Sequence, residues 1–447
     1  MDDSRRLSRL DKNPTLRFTL PVMLENTLTI FIGLVFSRII STISGSALAA
    51  IGMANTVMAV VFSAFTMVTT GAAVLVSRQI GAGDGPAAAD SIEQGTFLSL
   101  VFSCAVTVLC IVTAPQLLRL LMPTAEDQLF NEAVRYYCML MLSLPAYVLH
   151  AMLSTACRST GDSRSPMVNA LIMNVSQIAF AYLFIDVLPW EEMGAGLAYV
   201  CCRLLGAALM LRALLHNHRF FVLRVRSMLR PHWDTIRRIL RVGLPVGVES
   251  VFVQVGYMLA NSMSISLGTF ESGVYQIMNT LNTFITLPQG ICQAVALSAV
   301  GRLLGAQDYR GAKRTGRWIW LAGIGASLVL GGVVVAFGVP LTGIYTSDPL
   351  AVQASSSLLW ILLIMDVAGV SINAIDAQLR AGGDVRYVMV VTLSAVWLIR
   401  LPLTYLFCFV MDLGVLGIYL ANTISLYYRA ILGFVRHCGK RWMTRKV

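Results

Sequence analysis

The chain has 447 residues, of which 57% are hydrophobic and only 13% are charged, with a formal net charge of +11. A soluble domain carries about 25% charged residues, so this composition excludes an ordinary soluble protein and indicates a chain that lies in a lipid bilayer. A basic chain of this hydrophobicity is better explained by Lys and Arg in cytoplasmic loops than by nucleic-acid binding, and we expect no nucleic-acid partner.

Twelve apolar stretches are long enough to cross a bilayer, which takes roughly 20 residues of helix. Six lie in each half of the sequence, and very little chain remains for an aqueous domain. The predicted spans cover residues 18–43, 48–76, 92–114, 130–156, 166–187, 193–215, 243–267, 273–300, 314–338, 351–378, 387–410 and 414–435. We therefore predict an all-α integral membrane protein with twelve transmembrane helices.

The two halves repeat one another. Leu20–Glu25 recurs as Leu244–Glu249, at an offset of 224 residues, and the block Arg158–Met167 recurs as Arg380–Met389, at an offset of 222. Because each half has an even number of spans, the copies have the same orientation. We expect two six-helix lobes related by an axis along the membrane normal, with a central cavity between them.

Charge divides the chain further, because arginine and lysine collect in the loops on one side, as is typical of cytoplasmic loops. The predicted organisation is a basic arm at residues 1–17, an N-terminal lobe at 18–215, a basic linker at 216–242, a C-terminal lobe at 243–435 and a basic tail at 436–447. We predict that the linker is an amphipathic helix on the lipid headgroups. We expect a monomeric, multi-pass protein of the inner (plasma) membrane, with both termini cytoplasmic and membrane lipids as partners.

The glycine-rich stretch Gly81–Gly85 is superficially similar to a phosphate-binding loop. A dinucleotide loop follows a strand in a βαβ unit, whereas this one follows a predicted membrane helix, so we predict a turn between the second and third spans. Most of the nine cysteines lie inside spans and show no paired spacing, which predicts packing residues and neither disulfides nor a metal site. No nucleophile-base pattern is visible, so we predict neither an enzyme nor a bound cofactor.

Several of these motifs occur in an order that resembles the multidrug and toxic compound extrusion (MATE) family. They are Leu-Pro-x-x-x-Glu at Leu20–Glu25, the stretch Ala47–Gly52, the Gly-Ala-x-Asp turn, Arg-x-x-Gly-Asp-x-Arg-x-x-Met after the fourth and tenth spans, and Arg400–Leu403. The resemblance implies a secondary antiporter that alternates between outward- and inward-open states. It would be driven by H⁺ or Na⁺ and would export small organic substrates, which are cationic and amphipathic.

The broader superfamily also contains flippases, which gives an alternative function. A flippase for a lipid-linked or anionic amphipathic substrate would need a strongly cationic cavity, and Arg38, Arg203 and Arg400 keep that alternative open.

The sequence departs from the family where its members carry two aspartates. The aspartate of the first span is replaced by Phe36, and the asparagine and aspartate of the fifth span correspond to Gln177 and Ala181. In the C-terminal lobe, where family members often have acids in the seventh and tenth spans, the nearest acids are Glu249 and Asp366. Because both aspartates are replaced, the resemblance does not predict the family's cation site in the N-terminal lobe.

Ionisable residues inside spans are costly and are read as functional by default. Glu25 and Glu249 are repeat equivalents that should face the lobe interior, either as functional acids or as neutral acids that fill the backbone gap near a proline. We expect Arg400 to pair with an acid of its own lobe, and Asp376 to pair with Arg380 one helical turn later. The predicted substrate-binding or ion-coupling residues are Glu25, Glu249, Asp366, Asn174, Gln177, Arg400 and Arg38.

The coupling ion follows from the missing aspartates. A Na⁺ site needs several hard oxygen ligands, but the N-terminal lobe keeps only Glu25 as an ionisable ligand, and Arg38 adds repulsion. A lone carboxylate in a medium of low dielectric exchanges protons readily. We predict that coupling runs through protonation of Glu249, Glu25 or Asp366, and that residues 18–215 hold no Na⁺ site.

Overall fold

The computed structural model describes residues 20–29, 32, 33, 35, 45–121, 127–188, 190–215, 227–343, 345, 346, 348–439, 442 and 443, and within these ranges regular structure is helical throughout. Eleven helical segments are long and apolar enough to cross a membrane. The helix at residues 20–29 precedes them and lies within the first predicted span, residues 18–43.

We number these helices α1 to α12 in chain order. Their bounds are residues 20–29 (α1), Gly45–Gly81 (α2), Gly85–Leu121 (α3), Asp127–Thr160 (α4), Arg164–Ala181 (α5), Glu191–Leu215 (α6), Trp233–Ser266 (α7), Thr269–Gly305 (α8), Tyr309–Ala336 (α9), Pro349–Ala381 (α10), Val385–Val410 (α11) and Gly414–Cys438 (α12). A short helix, Gly338–Gly343, follows α9.

Three helices depart locally from α-helical geometry. A π-helical segment, Tyr182–Val187, continues α5, and α11 contains two such segments, Ala395–Arg400 and Leu406–Val410. The α8 helix is interrupted at Thr286. Since π-helical turns often occur at functional sites, the turn that ends at Arg400 makes α11 a candidate functional helix.

The chain divides into two compact units that part between Leu240 and Arg241, with residues 81–83 assigned to the second. A large apolar core of the first unit lies around Tyr136, Tyr137 and Leu144 of α4, all fully buried. The core of the second unit centres on α8 and α10, with Met278 and Leu362 at its middle. Each core therefore forms inside one half of the repeat.

The glycine-rich stretch forms a turn between α2 and α3, as predicted. Asp84 accepts a hydrogen bond from the backbone N–H of Ala87 at 3.0 Å, and its repeat equivalent Asp308 accepts one from Gly311 at 2.8 Å. Gly83 and its equivalent Gln307 both have left-handed backbone, with φ of 77° and 60°. The repeat therefore preserves a capped turn even where the glycine has been lost.

The predicted linker needs correction at its C-terminal end. Residues 216–226 lie outside the described residues, and Ser227–Leu229 form one turn of 3₁₀-helix. Residues 233–242, which we assigned to the linker, form the first turns of α7, with Ile236 and Ile239 buried. Arg237 and Arg238 are exposed on the same turns. Because a prediction from apolar stretches ends where charged residues begin, it placed the start of this helix too late in the chain.

The predicted tail is also more ordered than a free basic segment. Trp442 is fully buried, its indole ring stacks on His437 at 5.1 Å, and its Nε1 donates to the His437 carbonyl at 2.9 Å. Arg436 pairs with Asp384 at 2.7 Å. Within the described residues, the start of the tail is therefore attached to the second unit.

Candidate functional site

Glu25 lies on α1 of the first unit, where it is paired with an arginine. Arg158, near the end of α4, donates through Nη1 to both carboxylate oxygens at 3.1 Å. The side chains of Arg158 and Glu25 are 20% and 14% exposed, so most of their surface is removed from solvent. The ion pair joins α1 to α4.

Glu249, the repeat equivalent on α7, has the same kind of partner in the second unit. Arg380 of α10, the equivalent of Arg158, donates through Nη2 to both oxygens at 2.9 Å. Thr392 adds a hydrogen bond at 2.8 Å, and Arg429 of α12 lies 3.8 Å away. Glu249 is 3% exposed. In both units the glutamate is therefore bound by an arginine of another helix.

The predicted pair of Asp376 and Arg380 is wrong. Asp376 instead accepts a hydrogen bond from Arg429 at 3.0 Å, while Arg380 is directed at Glu249 on another helix. Arg380 thereby forms the closest ion pair of the buried Glu249, and breaking a buried pair costs more than losing an i,i+4 contact. The result is a buried cluster of two acids and two arginines that connects α7, α10 and α12.

Asp366 has a different environment from the two glutamates. It is fully buried on α10, and among the described residues no Lys, Arg or His nitrogen lies within 4 Å of its oxygens. Gln289 of α8 donates to one oxygen at 2.5 Å, and the hydroxyl of Ser327 on α9 donates to the other. Gln289 in turn accepts a hydrogen bond from Asn373 at 3.1 Å. A chain of neutral groups therefore surrounds this carboxylate.

The two predicted polar residues of α5 are buried and face other helices of the first unit. Asn174 donates to the hydroxyl of Thr29 at 3.2 Å, one turn after Glu25 on α1. Gln177 is in hydrogen-bonding contact with Tyr199 of α6. Arg38, which we also predicted for this site, lies outside the described residues.

The expectation that Arg400 pairs with an acid is wrong for the part of the chain that the structure describes. Its guanidinium lies 4.1 Å from the ring centre of Tyr257 on α7, in a cation–π contact, and no described carboxylate lies within 4 Å. Arg400 is 3% exposed, and its Nε has no hydrogen-bond partner there. The face of the Tyr257 ring, which attracts a cation, lies beside this guanidinium.

Several partners at these sites escaped the sequence analysis. Gln289, Ser327 and Asn373 are uncharged and lie in apolar stretches, so no local signal marked them. The arginine partners of the glutamates did carry a signal. Arg158 and Arg380 repeat at nearly the same offset as Glu25 and Glu249, and this coincidence could have paired them.

Comparison with known proteins gives the family. The sequence model of the MatE family matches residues 21–183 and again residues 245–406, so each half of the repeat carries one copy. The chain belongs to the MatE family.

Similar proteins cover almost its whole length. The probable multidrug resistance protein NorM of Thermotoga maritima is 24% identical over 97% of this chain and 93% of its own. The probable multidrug resistance protein YpnP of Bacillus subtilis is 26% identical over 96% of this chain and 95% of its own. An outward-facing multidrug resistance MATE family transporter superposes with a TM-score of 0.87 at 19% identity, covering 97% of both chains.

The predicted family and fold class are therefore confirmed. This MatE chain is a membrane transporter with an all-α fold of twelve helices in two six-helix lobes. Each family match contains the glutamate of its Leu-Pro-x-x-x-Glu motif together with the arginine that binds it, and the second match also contains Asp366.

Proposed function

We propose that the protein is a cation-coupled secondary antiporter that exports organic compounds from the cell by alternating access. Support comes from the relatives, which are named as multidrug resistance proteins, and from their coverage of nearly the whole chain. Those names favour a drug exporter over the alternative of a flippase. The resemblance to the family further implies cationic, amphipathic substrates.

One observation carries the coupling mechanism: Asp366 is a fully buried acid whose described partners are all neutral. Protonation would change the charge of this site from −1 to zero. By contrast, Glu25 and Glu249 are each held by an arginine, so protonating either would break a largely buried ion pair. Asp366 is therefore the acid best suited to take up and release the coupling H⁺.

The hydrogen bonds of Asp366 connect its own helix, α10, to α8 and α9. In the arrangement described, both carboxylate oxygens accept hydrogen bonds, from Gln289 on α8 and from Ser327 on α9. A protonated Asp366 becomes a donor, so one of these partners must turn and accept instead. The Ser327 hydroxyl can rotate, whereas Gln289 is oriented by its own bond to Asn373. Proton uptake would therefore change the contact between α9 and α10 first.

Purified protein in liposomes tests the proposal directly. We expect a cationic dye to be exported under an imposed H⁺ gradient, and Asp366→Asn to abolish that export while the protein stays folded and continues to bind the dye. The matched control is Asp348→Asn, the same change at the exposed N-terminal cap of the same helix, which should transport normally. Full H⁺-driven export by Asp366→Asn would contradict the coupling role, and absence of export of any dye by wild type would contradict the exporter.

A further inference from the structure

A pocket in the first unit lies apart from the acids described above. It is formed by α2, α4 and α6, encloses about 170 Å³, and is lined by residues that include Asn55, Phe62, Ser143, Tyr199 and Arg203. This is less space than a drug-sized ligand fills, which is about 300 Å³ or more. The pocket can accept one end of an organic molecule rather than all of it.

The lining of the pocket is cationic and aromatic. Arg203 is its charged residue, and the lining includes no Asp or Glu. The guanidinium lies 4.7 Å from the ring centre of Tyr147 and 6.0 Å from that of Tyr199. Tyr147 stacks on Phe62 with ring centres 4.1 Å apart. Tyr147 thus packs against Phe62 and Arg203 of the lining, and the pocket itself combines one positive charge with the rings of Phe62 and Tyr199.

Arg203 lacks an anionic partner within the described part of the chain, where no carboxylate lies within 4 Å of it. Its hydrogen-bonding contact there is to the sulfur of Met173 at 3.8 Å, and a thioether is a weak acceptor. An arginine inside a membrane span is costly and is normally paired or functional. Packing of α4 on α6 alone would not require a charge, since an apolar side chain could cover Tyr147 equally well.

We propose that this pocket is a subsite for an anionic group, such as a carboxylate or sulfonate, carried on a flat aromatic ring. The guanidinium would bind the anion through paired N–H groups, the Asn55 amide would supply a further donor, and the ring would lie beside Phe62 and Tyr199, the two aromatic residues of the lining. A cationic group elsewhere on the same molecule is compatible with this arrangement. The inference rests on the proposed export of organic compounds and specifies their chemical class.

Two probes that differ only in charge test the subsite, 1-naphthoate and its uncharged isostere 1-naphthamide. Their binding is measured by equilibrium dialysis against the full protein in nanodiscs of zwitterionic lipid, with empty nanodiscs subtracted. A guanidinium binds a carboxylate through two charge-assisted hydrogen bonds and a neutral amide more weakly, so we expect wild type to bind naphthoate about tenfold more tightly than naphthamide.

Three variants locate the effect. Arg203→Gln should remove the preference for naphthoate and leave naphthamide binding unchanged. Asn55→Asp, at an exposed position, should weaken naphthoate binding without altering the arginine, so the test survives if Arg203→Gln fails to fold. Arg238→Gln, which removes one exposed charge from the same unit, should bind both probes as wild type does.

Equal binding of the two probes by wild type, or a preference that persists in both Arg203→Gln and Asn55→Asp, would overturn the subsite. Export of the cationic dye together with such a result would leave the exporter standing and reject the subsite alone. An Arg203-dependent preference without export of any dye would support the subsite and reject the proposed transport.

Discussion

Arg158 donates through a single nitrogen to both carboxylate oxygens of Glu25, each at 3.1 Å. Arg380 repeats the contact on Glu249 at 2.9 Å, so a pair that connects two helices in one unit recurs at the equivalent place in the other. In both cases the glutamate lies at the start of a unit and the arginine near the end of its fourth helix. Each pair therefore connects the first helix of its unit to the fourth.

Replacing the glutamates should therefore lower stability, and by different amounts. Glu249→Gln leaves two largely buried arginines, Arg380 and Arg429, with one acid between them, so we expect a loss of about 3–5 kcal/mol. Glu25→Gln should cost less because its arginine is more exposed. The measurement is thermal unfolding of purified protein followed by tryptophan fluorescence.

The matched control for this comparison is Asp186→Asn, at an exposed carboxylate, which should unfold as wild type does. The double variant Glu249→Gln with Arg380→Met should recover part of the loss, since it removes one of the unpaired charges. Unfolding of Glu249→Gln at the wild-type temperature would show that the pair contributes nothing.

The repeated caps make a second prediction. Asp84→Ala and Asp308→Ala each remove the acceptor for a backbone N–H at the start of a helix, α3 and α9, and should each cost about 1 kcal/mol. Asp84→Asn and Asp308→Asn keep an acceptor there and should cost much less. Thermal unfolding followed by tryptophan fluorescence distinguishes the Ala variants from the Asn variants. Equal losses for Ala and Asn would mean that the carboxylate charge, and not the cap, stabilises the turn.

The sequence alone was sufficient for the fold because the bilayer makes composition decisive. Backbone groups in hydrocarbon must be bonded internally, so long apolar stretches can be read as helices. Helix ends were less well predicted, since helices continue past the apolar stretch wherever charged residues occupy the exposed side, as Arg237 and Arg238 do on α7. The repeat then gave the two units without further information.

Side-chain partners could be predicted only where the repeat or the helix period constrained them. Local spacing favoured Arg380 as the partner of Asp376. In the structure Arg380 instead binds Glu249, which is buried on a different helix, and Asp376 binds another arginine. The neutral partners of Asp366 and the tyrosine beneath Arg400 depend on which helices pack together. One sequence contains no such information.

Orientation in the membrane is a third prediction, and it rests on loop charge. Cysteines at the exposed Ala82 and Ala306, which are repeat equivalents in the capped turns, should be protected in intact cells from a membrane-impermeant thiol reagent. Cysteines at the exposed Asp186 and Tyr345 should react. The background has Ser at Cys104 and Cys438, the two exposed native thiols. Reversed labelling would invert the topology and with it the direction of transport.

The proposal that H⁺ is the coupling ion depends on which acids lack an arginine partner. Glu25 is engaged by Arg158, and a guanidinium 3.1 Å from both of its oxygens occupies the place that a Na⁺ would need. Asn174, the nearest predicted amide, donates to Thr29. The described residues of the first unit thus give no support to a Na⁺ site at Glu25. In the second unit, Asp366 has two neutral donors and no described cation near it.

We therefore expect export by the wild-type protein in liposomes to respond to a pH gradient and to be unchanged when Na⁺ is replaced by K⁺ at fixed pH. Glu25→Gln should lower stability yet retain H⁺-driven export at a temperature where it stays folded, because its role is to hold Arg158. Asp366→Asn should remain folded and lose H⁺-driven export. Dye efflux measured for each variant under separately imposed H⁺ and Na⁺ gradients distinguishes these cases. Efflux driven by Na⁺ alone and abolished by Glu25→Gln would place the coupling site in the first unit and contradict the assignment to Asp366.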